Sequence, residues 1–181
     1  MTENTLKKVS IRLVNDVPLV TERQLNKPEI VAEVAGDYIK DMDREVLCVI
    51  NFNAKLQPIN FNIVSIGTVN QSLAVPSDIL KSAILSNANF MMVLHNHPSG
   101  DLTPSKDDIM TTNRLIDAGN IIGIPLLDHI IIGHNKDQIF SFRQKKVVEF
   151  KKSNDYSEKL EYINFKKADS KVAELSKEIS R

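Results

Sequence analysis

Three dense apolar runs set the frame of the chain. They are Val46-Leu47-Cys48-Val49-Ile50 within 44–52, Phe90-Met91-Met92-Val93-Leu94, and Leu126-Leu127-Asp128-His129-Ile130-Ile131-Ile132 within 124–133. Each is too short for a packed helix and reads as a buried strand, the last interrupted by a polar pair. Val9-Ser10-Ile11-Arg12-Leu13 alternates as a half-buried strand does, whereas Asp16 to Lys27 carries Pro18 and no period, and reads as a connection. Asn53-Ala54-Lys55 is a turn, so a strand returns from about Leu56 to Gly67, with Pro58 near its start where a missing ladder donor is tolerated. Gly67-Thr68-Val69-Asn70 is a bend or bulge, and Gln138 to Phe142 makes a last short strand.

Helical spacing appears in three places. Pro28 opens a helix to about Asp41, with Ile30, Val31, Val34 and Ile39 as core positions. Pro76 opens a second to about Asn87, with Ile79, Ala83 and Ile84 inward, and a third runs from Lys106 to about Ala118, capped by Gly119. An early hairpin followed by alternating strands and helices predicts a mixed α+β domain, a mixed sheet covered by helices.

Composition changes after residue 143. Residues 143–181 hold eleven Lys and Arg against seven Asp and Glu, and Tyr156, Leu160, Ile163, Val172, Leu175 and Ile179 recur at helical spacing. Two readings stay open there, amphipathic helices that pack on the domain or a partner, and a solvated tail. The organisation is therefore 1–27, an N-terminal strand and connection; 28–143, the central domain; and 144–181, a charged helical tail. With 181 residues, 42% of them hydrophobic, the chain has material for one substantial core. A formal net charge of zero argues against a protein built to coat nucleic acid. One cysteine, Cys48, sits among apolar neighbours as a small core residue, which with the absence of a signal-like segment or long apolar run fits a cytoplasmic protein without a membrane span.

Chemistry gathers in His95-Asn96-His97-Pro98-Ser99-Gly100-Asp101-Leu102-Thr103-Pro104-Ser105-Lys106-Asp107-Asp108. Residues two apart on a strand project to one face, so His95 and His97 present both imidazoles to one point. Asp108 falls in the first turn of the following helix. Two imidazoles, one carboxylate and room for water form the ligand set of an open zinc site, one Zn2+ per chain. The third histidine, His129, lies with Asp128 in an apolar strand, and both are placed behind the ligands rather than among them. Asp107 belongs on the solvent side of the helix start, and His134 in an exposed loop.

His95-x-His97, seven residues, then Ser105-x-x-Asp108 resembles the signature of JAMM (MPN+) metalloproteases. His-Asn-His-Pro-Ser-Gly-Asp, Arg44-Glu45, Gly67-Thr68, Leu127-Asp128-His129-Ile130-Ile131-Ile132-Gly133 and Ser141-Phe142 are similar to the bacterial RadC branch, over residues 28–143. Val75-Pro76 is followed by Ser77-Asp78 where the family usually has Arg-Glu, and longer members carry a helix-hairpin-helix-like region for which the first 27 residues are too few. The resemblance implies a cytidine-deaminase-like mixed sheet flanked by helices; the C-terminal helical extension read from the spacing after Phe142 has no counterpart in it. It also implies Glu45 as the proton carrier for a metal-activated water and Ser105 as a stabiliser of the oxyanion, although Ser-x-x-Asp before a helix is equally a capping box.

Three functions follow as expectations. One is a zinc metallopeptidase or isopeptidase acting on a peptide or isopeptide-linked protein. Another is a DNA-repair or mobile-element factor that grips nucleic acid through Lys145, Lys146, Lys151, Lys152, Lys166 and Lys167. The last is a zinc-bound module without turnover. A homodimer stays open.

Overall fold

In the computed structural model the described residues are Ser10, Leu13, Leu25 and 27–67, 75–135 and 138–150. Most of the strand expected at 9–13, most of the connection at 16–27, residues 68–70 of the expected bend, and the tail beyond 150 with Lys151, Lys152, Lys166 and Lys167 lie outside them.

Three helices and five strands follow in the order α1 (Pro28–Ala35), β1 (Val46–Phe52), β2 (Pro58–Ile66), α2 (Pro76–Leu85), β3 (Phe90–Asn96), α3 (Lys106–Ile122), β4 (Leu126–Ile132) and β5 (Ile139–Ser141). The sheet order is β2-β1-β3-β4-β5. The β3–β4 pair is parallel, with α3 as its crossover, and the other pairs are antiparallel, so the mixed sheet expected from the hydrophobic pattern is present. No helix among the described residues is long and apolar enough to cross a membrane.

The strand period of two divides the core. Val46, Cys48, Ile50 and Phe52 of β1 join Met92, Leu94, Ile130 and Ile132 under α1. Leu47 and Val49 join Met91, Val93 and Leu126 under α2 and α3, through Ile79, Leu80, Ala83, Leu115 and Ile116. Both faces of the central strands are therefore covered, which explains why they read as continuous apolar runs.

Three boundaries and one helix face differ from expectation, each for a local reason. α1 stops at Ala35, and Gly36-Asp37-Tyr38 tightens into a 3-10 turn; Gly and Asp are weak helix formers, yet Ile39 still reaches the core from the turn. On α2, Ile79 and Ala83 are buried but Ile84 is exposed, since it lies one step of about 100° around the helix from Ala83. α3 continues through Gly119, where a β-carbon would stand 2.6 Å from the Ile124 carbonyl oxygen. Its cap is Gly123, left-handed at φ +78°. After β5 the chain forms turns, and Val148 and Phe150 pack against the α2/α3 core, so packing extends beyond the boundary set at 143. The Arg143 guanidinium lies 4.3 Å from the Phe150 ring centroid.

Candidate metal centre

The parallel strands β3 and β4 end at the N-terminus of α3, and the candidate residues collect there. His95 belongs to the strand face that carries Met91 and Val93, and so looks towards α3. β1 pairs with β3 so that Leu47 stands opposite His95. Just beyond that pairing, Glu45 comes to His97, with Oε1 3.9 Å from Nε2. An antiparallel pairing thus closes a gap of fifty residues in sequence.

His95 Nε2 lies 2.9 Å from His97 Nε2 and 3.3 Å from Asp108 Oδ1, and His97 Nε2 lies 3.6 Å from Asp108 Oδ2. One ligand atom from each of the three residues falls within 4.8 Å of the others. Asp108 is aimed by the start of α3. Ser105 Oγ accepts the Asp108 N–H at 3.1 Å, and the Ser105 N–H donates to Asp108 Oδ2 at 2.7 Å, a complete capping box. Oδ1 remains turned to His95, and Oδ2 also faces His97.

The hydrogen atoms decide what this cluster wants. His97 Nδ1 contacts the Asp101 carbonyl, which can only accept, so that nitrogen carries the proton and the neutral ring presents a bare Nε2. His95 spends its Nδ1 on His129 Nε2 at 2.8 Å and also turns Nε2 inward. Two ring nitrogens and a carboxylate, all rich in lone pairs, therefore converge on one point. Such a set repels itself unless a proton or metal cation stands between its members, and the donor types fit a divalent metal.

The local pKa shifts report the same preference. Burial, partly opposed by Asp108, pushes His95 down to about 4, so it stays neutral at ordinary pH. His97 is raised, because the pull of Asp108, Asp101 and Glu45 outweighs its partial burial. Asp108 lies well below the usual carboxylate range despite its burial, held there by His97, His95 and Ser105. Positive charge is favoured at this point.

Glu45 approaches from the open side, its Oε1 3.9 Å from His97 Nε2. Burial raises its pKa, with Asp108 adding to the rise and His97 opposing it. The segment carrying it is clamped by Asn96, the residue between the two histidines. Asn96 Oδ1 accepts the Val46 N–H at 2.7 Å, and Nδ2 donates to the Arg44 carbonyl at 3.1 Å. Asn96 thereby grips both neighbours of Glu45.

A family model described as the RadC-like JAB domain matches residues 25–147. The chain belongs to that family. Bacterial relatives called UPF0758 proteins agree with the match. The one from Desulforamulus reducens is 46% identical over 66% of this chain and 53% of its own length. Those from Desulfitobacterium hafniense and Staphylococcus epidermidis are each 42% identical, over 69% and 68% of this chain and 55% and 54% of their own lengths. The chain spans about half the length of these curated relatives.

Within this RadC-like domain, His95, His97, Asp108 and Glu45 come together. His129 lies behind His95, fully buried, with the Phe142 ring stacked on it at 4.7 Å. Asp128, expected behind the ligands with His129, instead looks to the opposite face of the sheet, because successive strand residues alternate. Its carboxylate takes the Ser141 hydroxyl and the backbone N–H groups of Arg143 and His129, tying β4 to β5 and the turn after it. Ser105 is exposed, and the capping box is the role its contacts display. Asp107 and His134 are exposed.

Two contributors escaped the sequence reading. Asn96 could have been found, since alternation sends it away from the histidines and towards the partner strand. Thr112 offered a weaker signal, a hydroxyl one helical turn after Asp108.

Proposed function

We propose that this domain is a zinc-dependent amide hydrolase, a metallopeptidase or isopeptidase acting on a peptide or an isopeptide-linked protein. The observation that carries the reading is the meeting of three lone-pair donors, His95, His97 and Asp108, at a point overlooked by Glu45. His95 Nε2 lies 2.9 Å from His97 Nε2 and 3.3 Å from Asp108 Oδ1, near the spacing of about 3.3 Å between ligand atoms that share a zinc ion with bonds of about 2.05 Å, while the approach to His97, at 3.6 Å, is made by the other carboxylate oxygen, Oδ2.

Bound zinc supplies a Lewis acid and acidifies water at its open position. The chain's own groups supply the rest. Glu45, with its raised pKa, takes up a proton from the attacking water and delivers it to the leaving amine. Glu45 stands 3.9 Å from His97 Nε2, beside the reacting centre and outside the three converging donors. Ser105 uses an oxygen lone pair for the helix cap and keeps its hydroxyl hydrogen free to donate to a developing oxyanion. The half-exposed side of the site, at Glu45 and His97, is where an extended chain would enter.

Metal analysis and peptide hydrolysis test this together. The purified protein should carry about one zinc per chain, and His95→Ala and Asp108→Ala should each lose it. Full zinc content in either variant, or none in the zinc-reconstituted wild type, rejects the metal assignment. Glu45→Gln should retain zinc while hydrolysis of amide-bond libraries disappears; unchanged turnover rejects Glu45 as proton carrier.

A further inference from the structure

Behind His95 runs a buried chain of contacts that the proposed reaction leaves unused. His95 Nδ1 meets His129 Nε2 at 2.8 Å, His129 Nδ1 meets Thr112 Oγ1 at 2.6 Å, and Thr112 Oγ1 meets the Asp108 carbonyl oxygen at 2.6 Å. All three side chains are 0% exposed, and Phe142 closes the far side of His129. The chain starts on the ring of one candidate ligand and ends on the backbone of another.

We propose that Thr112 is a positioning residue for the metal centre, which acts through His129 to set the tautomer of His95 before a metal arrives. The proposal rests on the reading of His95, His97 and Asp108 as ligands, and its logic is hydrogen counting. The Asp108 carbonyl can only accept, so the one hydroxyl hydrogen of Thr112 goes to it. The reverse orientation would leave two oxygens 2.6 Å apart with no hydrogen between them. Thr112 Oγ1 must therefore accept from His129, which places the His129 proton on Nδ1 and leaves its Nε2 bare. His95 must then donate from Nδ1, and its bare Nε2 faces the metal point. Each proton in the relay has one allowed place.

The relay also explains why His129 is not a ligand although its ring centroid is 4.9 Å from that of His95. Its free lone pair is consumed by His95, and its other nitrogen is anchored to α3. Keeping this third imidazole out leaves a coordination position for water or substrate, the difference between an open and a closed site.

Nitrogen-15 NMR of the histidine rings and zinc titration against a competing chelator test the proposal. In the wild type, both metal-free and zinc-loaded, His129 should carry its proton on Nδ1 and His95 on Nδ1. Thr112→Val keeps the side-chain shape but removes the hydroxyl; it should give mixed His129 tautomers and about 10–100-fold weaker zinc binding. Thr112→Ser should restore both. A wild-type His129 protonated on Nε2 overturns the relay, as does a folded Thr112→Val protein with unchanged tautomers and unchanged zinc affinity. If Thr112→Val does not fold, the wild-type tautomers alone decide. A wild type that takes up no zinc sinks the metal reading, while its ring spectra still decide the relay.

Discussion

His95 and His97 stand two residues apart on one strand face and offer the same atom to the same point, yet their surroundings are opposite. His95 is sealed, with β4 behind it and α3 above it, and its pKa is driven down to about 4 by burial. His97 is at the rim, its Nδ1 held by a loop carbonyl, and its pKa is raised by Asp108, Asp101 and Glu45 despite partial burial. The sealed wall, with His129 and Thr112, supplies a ligand of fixed form. The rim holds Glu45 and Ser105 on the open side, where on the proposed reading Glu45 would carry the proton and Ser105 would donate to the oxyanion. One centre thus needs both low and high local polarity, and a strand that ends at the surface provides the two within one pleat.

The contrast can be broken from the rim first. Glu45→Gln removes the proton carrier and should lower turnover by roughly 10²–10⁴-fold, the range for a general acid–base group, with zinc content unchanged. Kinetics alongside metal analysis checks this, and loss of the metal instead would move Glu45 into the ligand set.

The sealed wall should reveal itself through pH in the metal-stripped protein. His95 titrates near 6.5 when unfolded and near 4 when folded. Between those values the unfolded chain binds a proton that the folded chain refuses, so stability falls as pH falls from 6.5 to 4, by up to about 3 kcal/mol from this group. His129, also lowered by burial, acts in the same direction. His97, being raised, adds stability that is present below pH 6.5 and is lost only as pH rises above it. Urea denaturation across that window measures the sum, and His95→Gln should flatten the dependence.

Asn96→Ala joins the two walls. It leaves the buried Val46 N–H unpaired and releases the backbone on both sides of Glu45, so stability should drop by about 1–3 kcal/mol. Turnover should fall further than zinc affinity, because the ligands are untouched. Equal losses in both would show that the clamp serves the strand pairing rather than Glu45.

Ser105→Ala should have the smallest effect on folding, about 1 kcal/mol for a lost helix cap. Ser105→Asp separates the two possible roles, since aspartate also caps a helix but ionised cannot donate to an oxyanion. Recovery of stability without recovery of turnover would assign the hydroxyl to chemistry, and recovery of both would leave it a cap.

Much of this centre was legible in advance because its parts obey short periods. His95 and His97 obey the strand period of two. Ser105 and Asp108 are three apart at a helix start, where a side chain reaches back to a free N–H. The three buried strands were visible as apolar runs because both of their faces are covered. Helix ends were less legible: Gly119 and Gly123 are the same residue type, and only packing against Ile124 and a left-handed backbone angle distinguish a tight contact from a cap.

What the chain alone determined, then, was the candidate ligand set from His95 to Asp108 and the strands that carry it, since these depend on neighbours within a few residues. The tertiary structure decided the rest. The register of β1 against β3 brought Glu45 to His97, and sheet alternation sent Asp128 to one face and His129 to the other. Packing of α3 on β4 placed Thr112 against the His129 ring. None of these depends on residue type alone, because each requires knowing which strand lies beside which, and by how many residues it is shifted.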